Sequence, residues 1–161
     1  MAAACRNAEV PFIVNDRPDV ALALGADGVH VGQSDLPVDV ARRVIGTGLV
    51  GLSTHAPSEI DRALSQRGLD YIAVGPVHAT PTKPGRPAAG LELIRHAARR
   101  VTIPWFAIGG IDEATLPAVM DAGARRIVVV RAITEASAPA AAAARLRAQL
   151  EASETFRVQP C

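Results

Sequence analysis

The chain has 161 residues, 49% of them apolar and 20% charged, with a formal net charge of +1. That balance suits one folded domain with a proper core and gives no electrostatic case for binding nucleic acid or a membrane surface. No run approaches the ~18 consecutive apolar residues of a membrane span, and the two cysteines, Cys5 and Cys161, show neither metal nor disulfide spacing.

In chain order, Ala2–Glu9 reads as the last turns of a helix feeding a first strand, and Met1–Arg6 has no signal-peptide core, so a cytoplasmic location is expected. Six short apolar runs follow: Pro11–Val14, Gly28–Val31, Leu49–Leu52, Tyr71–Val74, Trp105–Ile108 and Ile127–Val130, their starts 17, 21, 22, 34 and 22 residues apart. Between them lie segments with helical periodicity, such as Val38, Ala41, Val44 and Ile45, or Leu91, Leu93, Ile94 and Ala97. Short apolar strands alternating with helices read as βα units around a parallel sheet. The near-continuous Ile127-Val128-Val129-Val130 fits a strand buried on both faces. Ala-rich Ala138–Ala148 predicts a final helix. Residues 1–151 then form a single domain and 152–161 a loose tail.

Right-handed crossovers place every strand's carboxyl end on one rim. There stand Asn15-Asp16, then Gly32-Gln33-Ser34-Asp35, Ser53-Thr54-His55, Gly75 opening into a loop at Thr80–Lys83, Gly109-Gly110 and Arg131. In α/β barrels and open sheets that rim binds ligands. Lys83 is the one lysine among seventeen Lys and Arg residues and lies in Thr80-Pro81-Thr82-Lys83-Pro84-Gly85, which can continue neither helix nor central strand. A compact ammonium kept where the sequence otherwise writes arginine marks a position where that difference matters. A complete (β/α)8 barrel takes roughly 200 to over 400 residues. The six units here are therefore read as a TIM-barrel type fold with its first two units missing.

The set Asn15-Asp16-Arg17, Gly28-Val29-His30-Val31-Gly32-Gln33-Ser34-Asp35-Leu36-Pro37, Ser53-Thr54-His55, Gly75-Pro76, Thr80-Pro81-Thr82-Lys83, Ile108-Gly109-Gly110-Ile111 and Val130-Arg131-Ala132-Ile133 resembles the thiamine phosphate synthase family. The resemblance runs from about residue 5 to about residue 150. It implies a transferase of thiamine biosynthesis that joins a pyrimidine methyl diphosphate to a thiazole ethyl phosphate and releases pyrophosphate. It also implies that Asp16 and Asp35 ligate Mg²⁺, that Asn15, Ser53 and Lys83 hold the diphosphate, and that Ser53 and Lys83 serve catalysis. Thr80, Pro81, Thr82, Gly110, Val130 and Arg131 would line the thiazole phosphate site. Mg²⁺ is a hard cation that takes a couple of carboxylates plus phosphate oxygens and water, and loss of pyrophosphate needs its departing charge stabilised rather than a nucleophilic side chain.

Each residue has a structural rival. Asp16, before Arg17-Pro18, and Asp35, before Leu36-Pro37, can be helix N-caps; Ser53 can cap the helix beginning near Pro57; Gly109 and Gly110 can serve tight packing. Asp112 reads as a cap, His30 as a packed strand residue between Val29 and Val31, and His78 stands just upstream of the Thr80 loop. The chain departs from the family in two respects. It has no Gln-x-Arg-x-Lys segment to grip pyrophosphate, and Arg131 stands where many members carry serine. On the first ground the chain alone is expected to be weak or inactive, with self-association through open sheet edges. The alternatives are a thiazole tautomerase-like isomerase and a noncatalytic binder of thiazole phosphate.

Overall fold

The structure, a computed structural model, describes residues 1–79 and 87–155, with side chains to residue 152. The elements are α1 (Ala2–Asn7), β1 (Ile13–Asn15), α2 (Pro18–Ala23), β2 (Gly28–Val31), α3 (Val38–Ile45), β3 (Leu49–Thr54), α4 (Pro57–Leu64), β4 (Tyr71–Val74), α5 (Gly90–Arg100), β5 (Trp105–Ile108), α6 (Leu116–Asp121), β6 (Ile127–Val128), α7 (Arg131–Thr134) and α8 (Pro139–Thr155). The sheet order is β1-β2-β3-β4-β5-β6, with β1–β2, β2–β3 and β5–β6 parallel. The alternating α/β reading therefore holds, and β2, β4 and β5 keep the bounds that their apolar runs predict.

The differences at strand ends have local causes. Pro11 has no N–H for the ladder, and the Phe12 N–H is taken by Asp27 Oδ2 at 2.7 Å, so β1 starts at Ile13. β3 runs two residues past Leu52 because Ser53 and Thr54 remain extended, and buried Thr54 donates its hydroxyl to the Ala73 carbonyl at 3.0 Å. Val129 and Val130 leave the ladder because α7 begins at Arg131 with Val130 as its N-cap. Helix α8 continues past Glu151 to Thr155, supported by an Arg147–Glu151 ion pair one turn apart at 2.7 Å.

The chain divides into two compact units: Met1–Ala73 with Val101–Trp105, and Val74–Arg100 with the chain from Phe106 on. In the first, alternation sorts the strands into two faces. Val29, Val31, Val50, Leu52 and Ile72 are buried on one face with Ala41 of α3 and Ile60 of α4. His30, Ser53 and Tyr71 take the other parity and are half-buried. In the second unit Leu93, Ile94 and Ala97 of α5, Leu116 and Val119 of α6 and Leu146 of α8 form the core. The Gly75–Pro76 peptide is cis, and the chain beyond it lies along the end of β5, with the Val77 N–H donating to Ile108 O at 2.8 Å and the His78 N–H to Gly109 O at 3.0 Å. Among the described residues no helix is long and apolar enough to cross a membrane.

Candidate functional site

In the first unit, Asn15 is the last residue of β1 and Asp16 follows it, both exposed. Asp16 sits at φ 63°, a left-handed conformation that Asp tolerates better than most side chains. Helix α2 takes Arg17 as its N-cap without any side-chain capping bond, so Asp16 is not a cap. Its N–H donates instead to the His30 carbonyl of the next strand at 2.8 Å. Asp35 closes its own loop: its Oδ2 accepts the Gly32 N–H at 2.7 Å, while α3 is capped by Pro37 with no side-chain bond.

Ser53 does not cap α4 either, since Ala56 is that helix's N-cap and the Glu59 carboxylate reaches back to the His55 N–H at 2.7 Å. The Ser53 hydroxyl lies 2.9 Å from His30 Nε2, and His30 Nδ1 lies 3.1 Å from the Tyr71 hydroxyl. Gln33 Nε2 donates to the Ser53 carbonyl at 2.7 Å. Neighbouring strand ends β1, β2 and β3 thus join Asp16, His30 and Ser53 in one hydrogen-bonded series. His30, Gln33 and Tyr71 were not singled out as site residues by sequence reasoning. The available signal was parity: His30 stands opposite Gly51 in register, and Ser53 is two residues on, hence on the same face.

Burial pushes the Tyr71 hydroxyl up to about 12, with the Asp70 charge adding to it. The phenol therefore stays protonated and able to donate. Two carboxylates at neighbouring strand ends offer the hard oxygen donors that Mg²⁺ takes when phosphate oxygens complete its shell. No group of three or more His, Cys, Asp or Glu side chains placed to hold a metal occurs among the described residues, so ligand oxygens would have to supply the remainder. A cleft of about 560 Å³ runs beside Gly32, Asp35, Leu36, Asp39, Arg62 and Arg67. Its lining comes mainly from α3, α4 and the loops next to them and includes, of the predicted site residues, Asp35 alone.

In the second unit, Gly109 and Gly110 both have positive φ, 103° and 63°. A Cβ on Gly109 would lie 2.5 Å from Pro76 Cα, and one on Gly110 would lie 2.7 Å from His78 Cβ. The packing rival is therefore real for both glycines, and a ligand role adds to it rather than replacing it. Val130 is half-exposed, and Arg131 opens α7 with its guanidinium 3.8 Å from Glu135, a loose pair on the surface. Asp112 does not cap α6, whose N-cap is Thr115; it closes the turn before that helix, its Oδ1 accepting the Ala114 and Thr115 N–H groups at 3.0 and 2.9 Å, and these bonds, that from Thr115 first, hold its carboxyl below the usual range. His78 Nε2 is buried without a hydrogen-bond partner among the described residues. Thr80, Pro81, Thr82 and Lys83 lie outside the described residues.

The family model of thiamine monophosphate synthase matches residues 1–133. A thiamine-phosphate synthase of Thermus thermophilus is 58% identical over 151 residues, covering 93% of this chain and 72% of its own length. One from a Mycobacterium species is 58% identical over 149 residues, covering 91% of this chain and 66% of its own. The solved thiamine phosphate pyrophosphorylase of Pyrococcus furiosus superposes with a TM-score of 0.84 at 34% identity, over 93% of this chain and 72% of that one. These relatives bear out the reading of an α/β transferase of thiamine biosynthesis and add nothing to the isomerase or noncatalytic alternatives. The chain belongs to the thiamine monophosphate synthase family.

Proposed function

We propose that this chain, as six consecutive units of a (β/α)8 barrel, couples a pyrimidine methyl diphosphate to a thiazole ethyl phosphate, giving thiamine phosphate and pyrophosphate. The observation that carries the reading is the series Asp16–His30–Ser53, with Asp35 at the same strand ends. Asp16 enters the series through its backbone N–H and Ser53 through its hydroxyl, and two carboxylates and a hydroxyl on consecutive strand ends are donor types that suit a metal-bound diphosphate.

In the reaction, the bond between the pyrimidine methylene carbon and the diphosphate oxygen breaks, and its electron pair leaves with pyrophosphate. The thiazole nitrogen lone pair then forms the new C–N bond and leaves that ring cationic. Asp16 and Asp35 would hold Mg²⁺, which when bound supplies positive charge against the leaving pyrophosphate. Asn15 and Ser53 donate hydrogen bonds to the diphosphate, and the Lys83 ammonium adds a point charge to it. Thr80, Pro81, Thr82, Gly110, Val130 and Arg131 hold the thiazole phosphate. Arg131 offers a bidentate fork to that phosphate. Positioning two rings for direct capture accounts for much of the remaining rate gain.

The test is a single-turnover experiment with protein in excess over both substrates and Mg²⁺ present, so that slow transfer is scored. Thiamine phosphate and pyrophosphate are expected in equal amounts. No thiamine phosphate, or isomerised thiazole alone, contradicts the proposal. Lys83→Ala is expected to weaken pyrophosphate binding by about tenfold or more, as for a lost charge-assisted bond, while thiazole phosphate still binds.

A further inference from the structure

We propose that His30 is a positioning residue for Ser53: its imidazole, held on one side by the Tyr71 hydroxyl, fixes the Ser53 hydroxyl so that its proton faces the diphosphate. This rests on the assignment of Ser53 to diphosphate binding. The geometry is built in layers. Val29 and Val31 are fully buried on the opposite face of β2, which fixes which way His30 points. The registered partner of His30 on β3 is Gly51. A Cβ there would lie 2.1 Å from Tyr71 Cζ and 2.5 Å from His30 Nδ1, so the absent side chain is what admits both rings. Those rings lie 5.4 Å apart between centroids, tilted by 31°.

Both imidazole nitrogens are within hydrogen-bond distance of a hydroxyl, Nδ1 at 3.1 Å from Tyr71 and Nε2 at 2.9 Å from Ser53. A neutral imidazole has one donor and one acceptor nitrogen. When the Tyr71 hydroxyl donates to Nδ1, the Nε2–H donates to Ser53 Oγ, and the serine proton is left for an acceptor such as a phosphate oxygen. In the opposite tautomer the serine proton is spent on Nε2, and Ser53 offers an anion only lone pairs. A protonated phenol at Tyr71 permits the productive arrangement, and Gln33 holds the Ser53 backbone from its carbonyl side. His30 does not touch substrate in this scheme; it acts through Ser53.

The experiment measures binding of inorganic pyrophosphate with Mg²⁺ by titration calorimetry for the chain and for Ser53→Ala, His30→Ala, the double variant, His30→Gln and Tyr71→Phe, each checked for folding by thermal melting. Ser53→Ala and His30→Ala are each expected to weaken binding about tenfold, the scale of one hydrogen bond to a charged group. The double variant is expected to be no weaker than Ser53→Ala within about twofold, because residues acting as a unit are not additive. His30→Gln, whose amide can present an N–H near the place of Nε2, is expected to recover most of the loss. Nitrogen-15 spectra of the His30 ring should show the Nε2–H tautomer in the chain and a mixture in Tyr71→Phe; this readout also decides the matter if His30→Ala does not fold. Normal binding by His30→Ala alongside a loss in Ser53→Ala, additive losses in the double variant, or an Nδ1–H tautomer in the unaltered chain would each overturn the inference and spare the Ser53 assignment. Normal binding by Ser53→Ala would overturn both.

Discussion

Gly51 carries no side chain where two rings converge, and that fact explains more of the first unit than any charged residue does. A methyl group there would overlap Tyr71 and His30, and overpacking of this kind costs about 1–3 kcal/mol. Gly51→Ala is therefore expected to lower the unfolding free energy by that amount, read as a lower urea midpoint, and to weaken pyrophosphate binding as well, because the rings that fix Ser53 must move. A midpoint unchanged from the unaltered chain would count against the packing described. At this scale the sequence was half legible. Asp16, Asp35 and Ser53 stood out by type and by position at strand ends, and their capping rivals are excluded by caps at Arg17, Pro37 and Ala56. His30 did not stand out, because alternation with Val29 and Val31 says that it faces away from them but not that the other face is polar. That knowledge needs the cross-strand register, which brings Gly51, and two residues on Ser53, beside it.

Among the elements, α3 is tied to the start of β4 by Arg42. Its guanidinium forms an ion pair with Asp70 and donates to the carbonyls of Gly46, Gly48 and Gly68, the last at 3.1 Å, while Asp70 also accepts the Val50 N–H at 2.7 Å. Removing one partner leaves a partly buried carboxylate and several carbonyls short of donors. Arg42→Ala is expected to cost about 2–3 kcal/mol in urea unfolding; a loss below about 0.5 kcal/mol would show the cluster to be ornamental. The turn leading into α6 makes a pH prediction. Asp112, through the Thr115 N–H first, and Glu113, through Arg145 first, both titrate below their usual range in the folded chain. Their contribution is fully present above the unfolded carboxylate range and declines as pH falls through it, from about pH 5 downward. Thermal midpoints followed from neutral pH to pH 2 should fall less steeply for Asp112→Asn than for the unaltered chain; parallel curves would contradict this. Element existence was legible because short apolar runs alternating with helical patterns are a strong signal. Strand ends were not, since they depend on Pro11 lacking an N–H and on α7 starting at Arg131.

For the molecule as a whole, the chain spans 72% of the Thermus relative and 66% of the Mycobacterium one. The motif order that carried the family resemblance runs through both compact units. The residues assigned to the diphosphate and metal, Lys83 apart, fall in the first unit, and Gly110, Val130 and Arg131, assigned to the thiazole phosphate, fall in the second. Family membership was legible because several short motifs recur in order along 161 residues. How the Thr80–Lys83 loop meets a ligand was not, because a Pro-rich loop has no periodicity that fixes its path.

The central claim is that Asp16 and Asp35 hold a diphosphate through Mg²⁺, and calorimetric titration of pyrophosphate with and without Mg²⁺ tests it most directly. Asn tolerates the left-handed backbone at position 16 as Asp does, so Asp16→Asn removes charge without reshaping the loop, and Asp35→Asn keeps an oxygen for the Gly32 N–H. The account predicts binding by the unaltered chain only when Mg²⁺ is present, weakened by about tenfold or more in either variant. Binding that is equally tight without Mg²⁺, or indifferent to both substitutions, would contradict it.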